Sequence, residues 1–252
     1  MTFSVRKLIS AVSELVFPSS IYCISCGNLI DSSRHYALCN RCMEEIHWAN
    51  QRVCGKCGKV LTGDEDRELC SDCVENHHSF TRGFTCMVYQ SLEKEMLHTY
   101  KFNGAAYMGE KLGEILLDRI RPEVEFGDIN VDMVTSVPMS KSKLKKRGYN
   151  QSELMAKVVA RGLGLLYNNR VLVRKSQKKA MNKLSRQQRM ENVMEAYALG
   201  SDQRELAKIK DKSVLLIDDI YTTGATVDAC SDLLFQAGAS QVYVLTLAAG
   251  AD

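Results

Sequence analysis

Two groups of side chains in this 252-residue chain have the types and spacing that chemistry needs. The first lies in VLLIDDIYTTGATVDAC, Val214 to Cys230. Four apolar residues lead into Asp218 and Asp219, then into the small, hydroxyl-rich Thr222-Thr223-Gly224-Ala225-Thr226, then into a helical pattern. That order predicts a buried strand, a turn and a helix. Backbone N–H groups at a helix start, with the dipole behind them, form an anion site, and small residues let a phosphate come close. Two carboxylates just before such a cradle suit sugar hydroxyls, or a magnesium ion held with them. Adjacent residues on a strand point to opposite faces, so both are expected to reach one ligand only where the strand is ending. The run has no Gly-Lys-Ser/Thr and is not a P-loop. Its ligand-free reading is an acidic strand end followed by an N-capping threonine.

The second group is eight of the ten cysteines. Cys23-x2-Cys26 is followed after twelve residues by Cys39-x2-Cys42, and Cys54-x2-Cys57 after twelve by Cys70-x2-Cys73. Each cysteine of the first set recurs 31 positions later, an internal repeat. A Cys-x2-Cys knuckle sets two thiolates on one side of a tight turn, and two knuckles complete a tetrahedral S4 zinc site. Gly27 and Gly58 follow the leading knuckles, where the turn calls for positive φ. Both sequential ribbons (Cys23/Cys26/Cys39/Cys42 and Cys54/Cys57/Cys70/Cys73) and a cross-braced pairing are compatible with the spacing; the equal hairpins favour the sequential one. His35, His47, His77 and His78 lie nearby, but four thiolates leave no vacancy, so they are expected at the surface. Closed S4 sites are structural. Cys86 and Cys230 fall outside the register and are expected in the core.

The elements that position these groups divide the chain by composition, 1–80 and 81–252. The first part holds the ribbons behind an amphipathic N-terminal helix built on Val5, Leu8, Ile9, Val12, Leu15 and Val16. The second alternates strands (84–89, 132–138, 170–173, 212–219, 241–248) with helices (92–102, 108–120, 151–161, 226–237), an α/β pattern with a mainly parallel sheet. Ligands of such sheets bind at the carboxyl ends of strands, where Asp218 and Asp219 stand. The composition, 45% hydrophobic with 3 Pro, is that of an ordinary folded protein. There is no run of about 18 apolar residues for a membrane span and no apolar leader segment, so a cytoplasmic protein with reduced thiols is expected. The net charge of +3 is small, yet KSKLKKR (141–147) carries five cations and 170–189 carries eight with no acid. Such stretches suit a polyanion, including single-stranded DNA, or plain solvation.

The run Asp-Asp-x-x-Thr-Thr-Gly-x-Thr after an apolar strand resembles the phosphoribosyl-pyrophosphate (PRPP) loop of type I phosphoribosyltransferases. With the cysteine repeat, TYKFNG (99–104), and Val137-Pro138 followed by Arg147-Gly148-Tyr149-Asn150-Gln151, the chain as a whole is similar to the ComF family. That family is phosphoribosyltransferase-like and associated with competence and DNA uptake. Leu184, Arg189 and Asn192 match a further family pattern, which departs at Met181, where Gln is expected.

The resemblance implies a type I phosphoribosyltransferase-like sheet with helices on both faces, preceded by a small double zinc-ribbon module. It implies two structural zinc ions, and magnesium with PRPP. Asp218 and Asp219 would hold the ribose hydroxyls, and Thr222, Thr223, Gly224, Ala225 and Thr226 the 5-phosphate. Met139, Ser140 and Lys141 would meet pyrophosphate, and a mobile loop over 142–151, with Arg147, Tyr149, Asn150 and Gln151, would close the site. Hypoxanthine-type relatives carry a third carboxylate, the suspected base, at the position of Thr222. Two functions follow: phosphoribosyl transfer to an unspecified acceptor, or a non-catalytic protein binding single-stranded DNA or a competence helicase with PRPP as effector.

Overall fold

The computed structural model describes residues 21–63, 66–175 and 195–252. The N-terminal helical pattern, Met181, Leu184, Arg189, Asn192 and most of the second basic stretch lie outside the described residues. Packing divides the chain elsewhere than composition does, into one compact unit ending at Ile46 and another running His47–Asp252.

The first unit holds one ribbon. Tyr22 bridges Leu29 across the leading knuckle, Gly27 N–H donates to Cys23 O at 2.9 Å, and α1 (Asn40–Glu45) starts from Cys39. The second unit opens with the same construction 31 residues on: Val53 bridges Val60, Gly58 donates to Cys54 O at 2.9 Å, and α2 (Ser71–Glu75) starts from Cys70. Gly27 and Gly58 sit at φ 73° and 78°, in the left-handed region the knuckle calls for.

Strands β1 (Arg82–Val88), β2 (Met133–Ser136) and β3 (Leu166–Tyr167), a two-residue ladder, are joined by α3 (Ser91–Phe102), α4 (Met108–Glu125), α5 (Lys141–Arg147) and α6 (Gln151–Leu163). Next come β4 (Leu172–Arg174), β5 (Tyr197–Leu199), α7 (Gln203–Ala207), β6 (Ser213–Tyr221), α8 (Ala225–Gln236) and β7 (Gln241–Ala249). The main sheet has the order β1-β7-β6-β2-β3 with every pairing parallel, while β4 and β5 form a separate antiparallel ribbon. The near-continuous apolar runs of β6 and β7 fit strands buried on both faces. The outer edge of β1 is covered: Ala49 N–H donates to Cys86 O and Val88 N–H to His47 O.

Two expectations change. The stretch 142–151, expected as a loop, starts as helix α5, because Ser140 caps it by accepting from Lys143 N–H at 3.4 Å and Gly148 at φ 85° ends it. The strand expected over 212–219 runs on to Tyr221. The second ribbon is also no satellite of the sheet. Cys54, Cys57 and Cys70 share one apolar cluster with Phe80, Val214, Leu216, Tyr221, Val227, Cys230, Leu234, Val242 and Val244.

Candidate functional site

The sulfurs of Cys23, Cys26, Cys39 and Cys42 all lie within 4.8 Å of one another, and so do those of Cys54, Cys57, Cys70 and Cys73. The pairing is therefore sequential. Backbone N–H groups support the sulfurs as they do in a metal knuckle, Cys39 N to Cys23 Sγ at 3.4 Å and Cys70 N to Cys54 Sγ at 3.3 Å. Four thiols converging without a vacant position fit structural zinc. His35, His47 and His77 are exposed, as expected. His78 is not: it is 4% exposed, because Asp228 partners its ring at 2.8 Å.

The second site is a cavity of about 450 Å³ over the carboxyl ends of β2 and β6. The chain leaves β2 through α6 towards β3 and leaves β6 through α8 towards β7, in opposite directions, so the cavity occupies a topological switch point. Asp218, Asp219, Thr222, Thr226, Met139, Arg147, Asn150 and Gln151 all line it. The other named residues flank it. Thr223 and Gly224 make the turn between β6 and α8, Ala225 starts α8, Ser140 and Lys141 start α5, and Tyr149 donates its hydroxyl to Tyr100 O.

Both carboxylates reach the cavity although the strand has not ended. Asp218 is buried and accepts from Ser152 Oγ at 3.0 Å and from the Asp219 N–H at 2.9 Å. Asp219 pairs with Lys101 Nζ at 2.9 Å. Burial, then the neighbouring Asp219 carboxylate, push the Asp218 carboxyl up to about 7.

Lys143 and Arg174, from the two basic stretches, also line the cavity, as do Lys101, Phe102 and Tyr197, which spacing did not pick out. Lys101 stands in the TYKFNG motif, which marks it without giving it a role. Four cations thus face two carboxylates: Lys101 from α3, Lys143 and Arg147 from α5, and Arg174 from β4. Burial and the positive charges of Arg174, Arg147 and Lys101 hold the Lys143 ammonium below its ordinary value. The Arg147-Gly148-Tyr149-Asn150-Gln151 run fixes the frame. Asn150 Nδ2 donates to Val137 O at 3.0 Å, Tyr100 Oη to Gln151 O at 3.0 Å, and Arg147 Nη1 to Gln151 Oε1 at 2.7 Å. Gln151 Nε2 is buried at the cavity wall with no partner, an orphaned donor that a polar ligand would satisfy.

The tetrads and the switch-point cavity define a zinc-ribbon protein with a phosphoribosyl transferase domain. The family model described as a double zinc ribbon domain matches residues 12–74, and that described as a phosphoribosyl transferase domain matches residues 150–252. The chain is homologous to proteins named for competence and DNA utilisation. It is 28% identical over 153 residues to DNA utilization protein YhgH of Salmonella typhimurium, covering 60% of this chain and 65% of that one. It is 25% identical to competence protein F of Haemophilus influenzae, covering 61% and 66%, and 26% identical to competence protein ComFC of Streptococcus pneumoniae, covering 63% and 64%. The match spans just under two thirds of these relatives. Among solved structures it is similar to the allosteric regulatory enzyme of purine biosynthesis, at 21% identity over 57% of this chain and 25% of that chain, TM-score 0.34. It is also similar to an adenine phosphoribosyltransferase, at 16% identity over 61% and 76%, TM-score 0.35. Among the described residues no helix is long and apolar enough to cross a membrane.

Proposed function

We propose that the cavity binds PRPP with magnesium and that the protein is a phosphoribosyltransferase-like component of DNA uptake or utilisation. One observation carries the reading: Asp218, Asp219, both outer threonines of the 222–226 turn and four cations from three other elements converge on a single cavity. In this reading the two carboxylates hold the ribose 2- and 3-hydroxyls and the turn holds the 5-phosphate. Lys101, Lys143, Arg147 and Arg174 face the pyrophosphate and stabilise the charge that grows on it as it leaves. Magnesium, when bound, neutralises phosphate oxygens through hard oxygen ligands. Thr222 offers no carboxylate to act as a base, while burial and the Asp219 carboxylate push Asp218 up to about 7.

A second reading has one observation in its favour, the threonine at position 222. There the protein is non-catalytic, PRPP is an effector, and the basic stretches and ribbons meet single-stranded DNA or a helicase in the cytoplasm. Titration calorimetry with PRPP and magnesium tests what the readings share. Binding is expected, weakened about ten- to a hundredfold in Asp218→Ala and Asp219→Ala as hydrogen bonds to the sugar are lost. No heat at millimolar ligand would sink both. Pyrophosphate release on adding nucleobases or single-stranded DNA then separates transfer from effector binding.

A further inference from the structure

We propose that His78 is a positioning residue for the 222–226 turn, through which the second cysteine ribbon becomes part of the ligand site. This rests on the PRPP reading above. His78 follows Cys73 by five residues and leads into β1. Its ring touches both flanks of the turn. Nδ1 lies 2.8 Å from Asp228 Oδ2 in the first turn of α8, and Nε2 lies 3.3 Å from the hydroxyl of Tyr221, the residue before Thr222. With Nδ1–H donating to the carboxylate, Nε2 is left to accept from the tyrosine. The other Asp228 oxygen accepts from Ser79 N–H at 2.9 Å, and the Asp228 N–H donates to Gly224 O at 2.8 Å.

The turn rests directly on the imidazole. Gly224 sits at φ 81°, and a Cβ built there would lie 2.7 Å from His78 Cε1 and 2.7 Å from the Tyr221 hydroxyl. The glycine is needed for the floor beneath the turn. That floor is built by the ribbon: His78 stacks on Phe80 at 5.3 Å, and Lys59, paired with Asp72, stands 5.5 Å over the Tyr221 ring. Cys54, Cys57 and Cys70 share the cluster of Tyr221 and Val227. Without His78, Asp228 would lose its side-chain partner in the first turn of α8, Tyr221 its acceptor, and the turn the ring on which Gly224 rests.

The test compares ribose 5-phosphate with inorganic pyrophosphate, each titrated with magnesium into the full chain. In His78→Phe, ribose 5-phosphate affinity should fall about ten- to a hundredfold, while pyrophosphate, held by the cations, stays within about twofold. Zinc content should remain that of the wild type. His78→Gln, whose amide can still donate to Asp228, should recover part of the loss. Asp228→Asn, which keeps the acceptor for Ser79, should lose less than His78→Phe. Equal ribose 5-phosphate affinity in wild type and His78→Phe would overturn the proposal. A loss shared equally by pyrophosphate, or accompanied by zinc loss, would overturn it too, since His78 would then act on the fold at large. A wild-type protein that binds no ribose 5-phosphate would instead remove the PRPP reading itself.

Discussion

Shifted by 31 residues, the two ribbons share their cysteines, their knuckle glycines and most of their backbone hydrogen bonds, such as Ile24 N to Ala37 O and Gly55 N to Glu68 O, both 2.9 Å. They differ where the metal makes no demand. Asn28 and Arg41 of the first ribbon become Lys59 and Asp72 in the second, a pair that reaches over Tyr221. Among the described residues, a Cβ on Gly27 would meet nothing within 4 Å, whereas one on Gly58 would lie 2.7 Å from Gly83 O and 2.9 Å from Phe84 Cα. Gly83 completes the contact from the other side, donating to Lys56 O at 2.7 Å. The ligands thus set the local fold, and in the second ribbon the residues between them join it to the core of the sheet. A metal module need not end where its cysteines do.

The largest effect should separate the two tetrads. Cys57→Ser, at a site inside the sheet's apolar cluster, should abolish one zinc and lower the stability of His47–Asp252 by at least about 3 kcal/mol. Cys26→Ser should also abolish one zinc yet move that transition by less than about 0.5 kcal/mol. Zinc analysis with hydrogen exchange of β6 and β7 reads both. Equal damage to the sheet would break the comparison.

Next comes pH. The native state holds on Asp218 a proton that the unfolded chain has released, since the carboxyl rises from 3.8 to about 7 on folding. Stability should therefore fall as pH climbs from about 4 to about 7 and level off above, by roughly 2–4 kcal/mol. Asp218→Asn keeps an acceptor for Ser152 and should flatten that slope, raising the midpoint at pH 8. Urea unfolding at several pH values checks this, read as the difference between wild type and Asp218→Asn, so that the pH-dependent loss of zinc from the thiolate sites cancels.

Glycine substitutions give a smaller, cleaner contrast. Gly27→Ala should cost about 1 kcal/mol for its positive φ alone. Gly58→Ala should cost about 2–3 kcal/mol, because the backbone of β1 must also give way. The smallest effect belongs to the tail. Asp252 accepts from Ser71 N–H at 3.0 Å and pairs with Arg67, so Asp252→Ala should cost about 1 kcal/mol. Asn40, the counterpart of Ser71, is exposed and bonded locally to Arg34, so Asn40→Ala should be near neutral.

Much of this was legible in the chain. Cysteine spacing is a local ruler, so the eight ligands could be read directly, while their sequential grouping came from the sulfur positions. The β6–turn–α8 run carries its own order of strand, acid, turn and helix, and the cavity forms around it. What could not be read depends on strand order. Lys101 and Phe102 reach the cavity because α3 ends above Asp219, and Arg174 because a separate antiparallel ribbon stands beside the switch point. His78 was expected at the surface because four thiolates leave no vacancy for it, and its partner, Asp228, is 150 residues away, beyond the reach of spacing. The stretch 142–151 was expected as a loop from resemblance, although its own Ser140 cap and Gly148 stop define a helix.

The pairing of β1 with β7 also sets an order of events during synthesis. Thr85 meets Thr246, 161 residues later. The second ribbon can take up metal once Cys73 has emerged, but β1 has no strand for its inner edge until β7 has been made. At about 5–20 residues per second the interval is roughly ten to thirty seconds. Throughout it a metal-loaded module carries one open strand edge, a template for wrong partners, and the sheet closes only when its last strand arrives between that edge and β6.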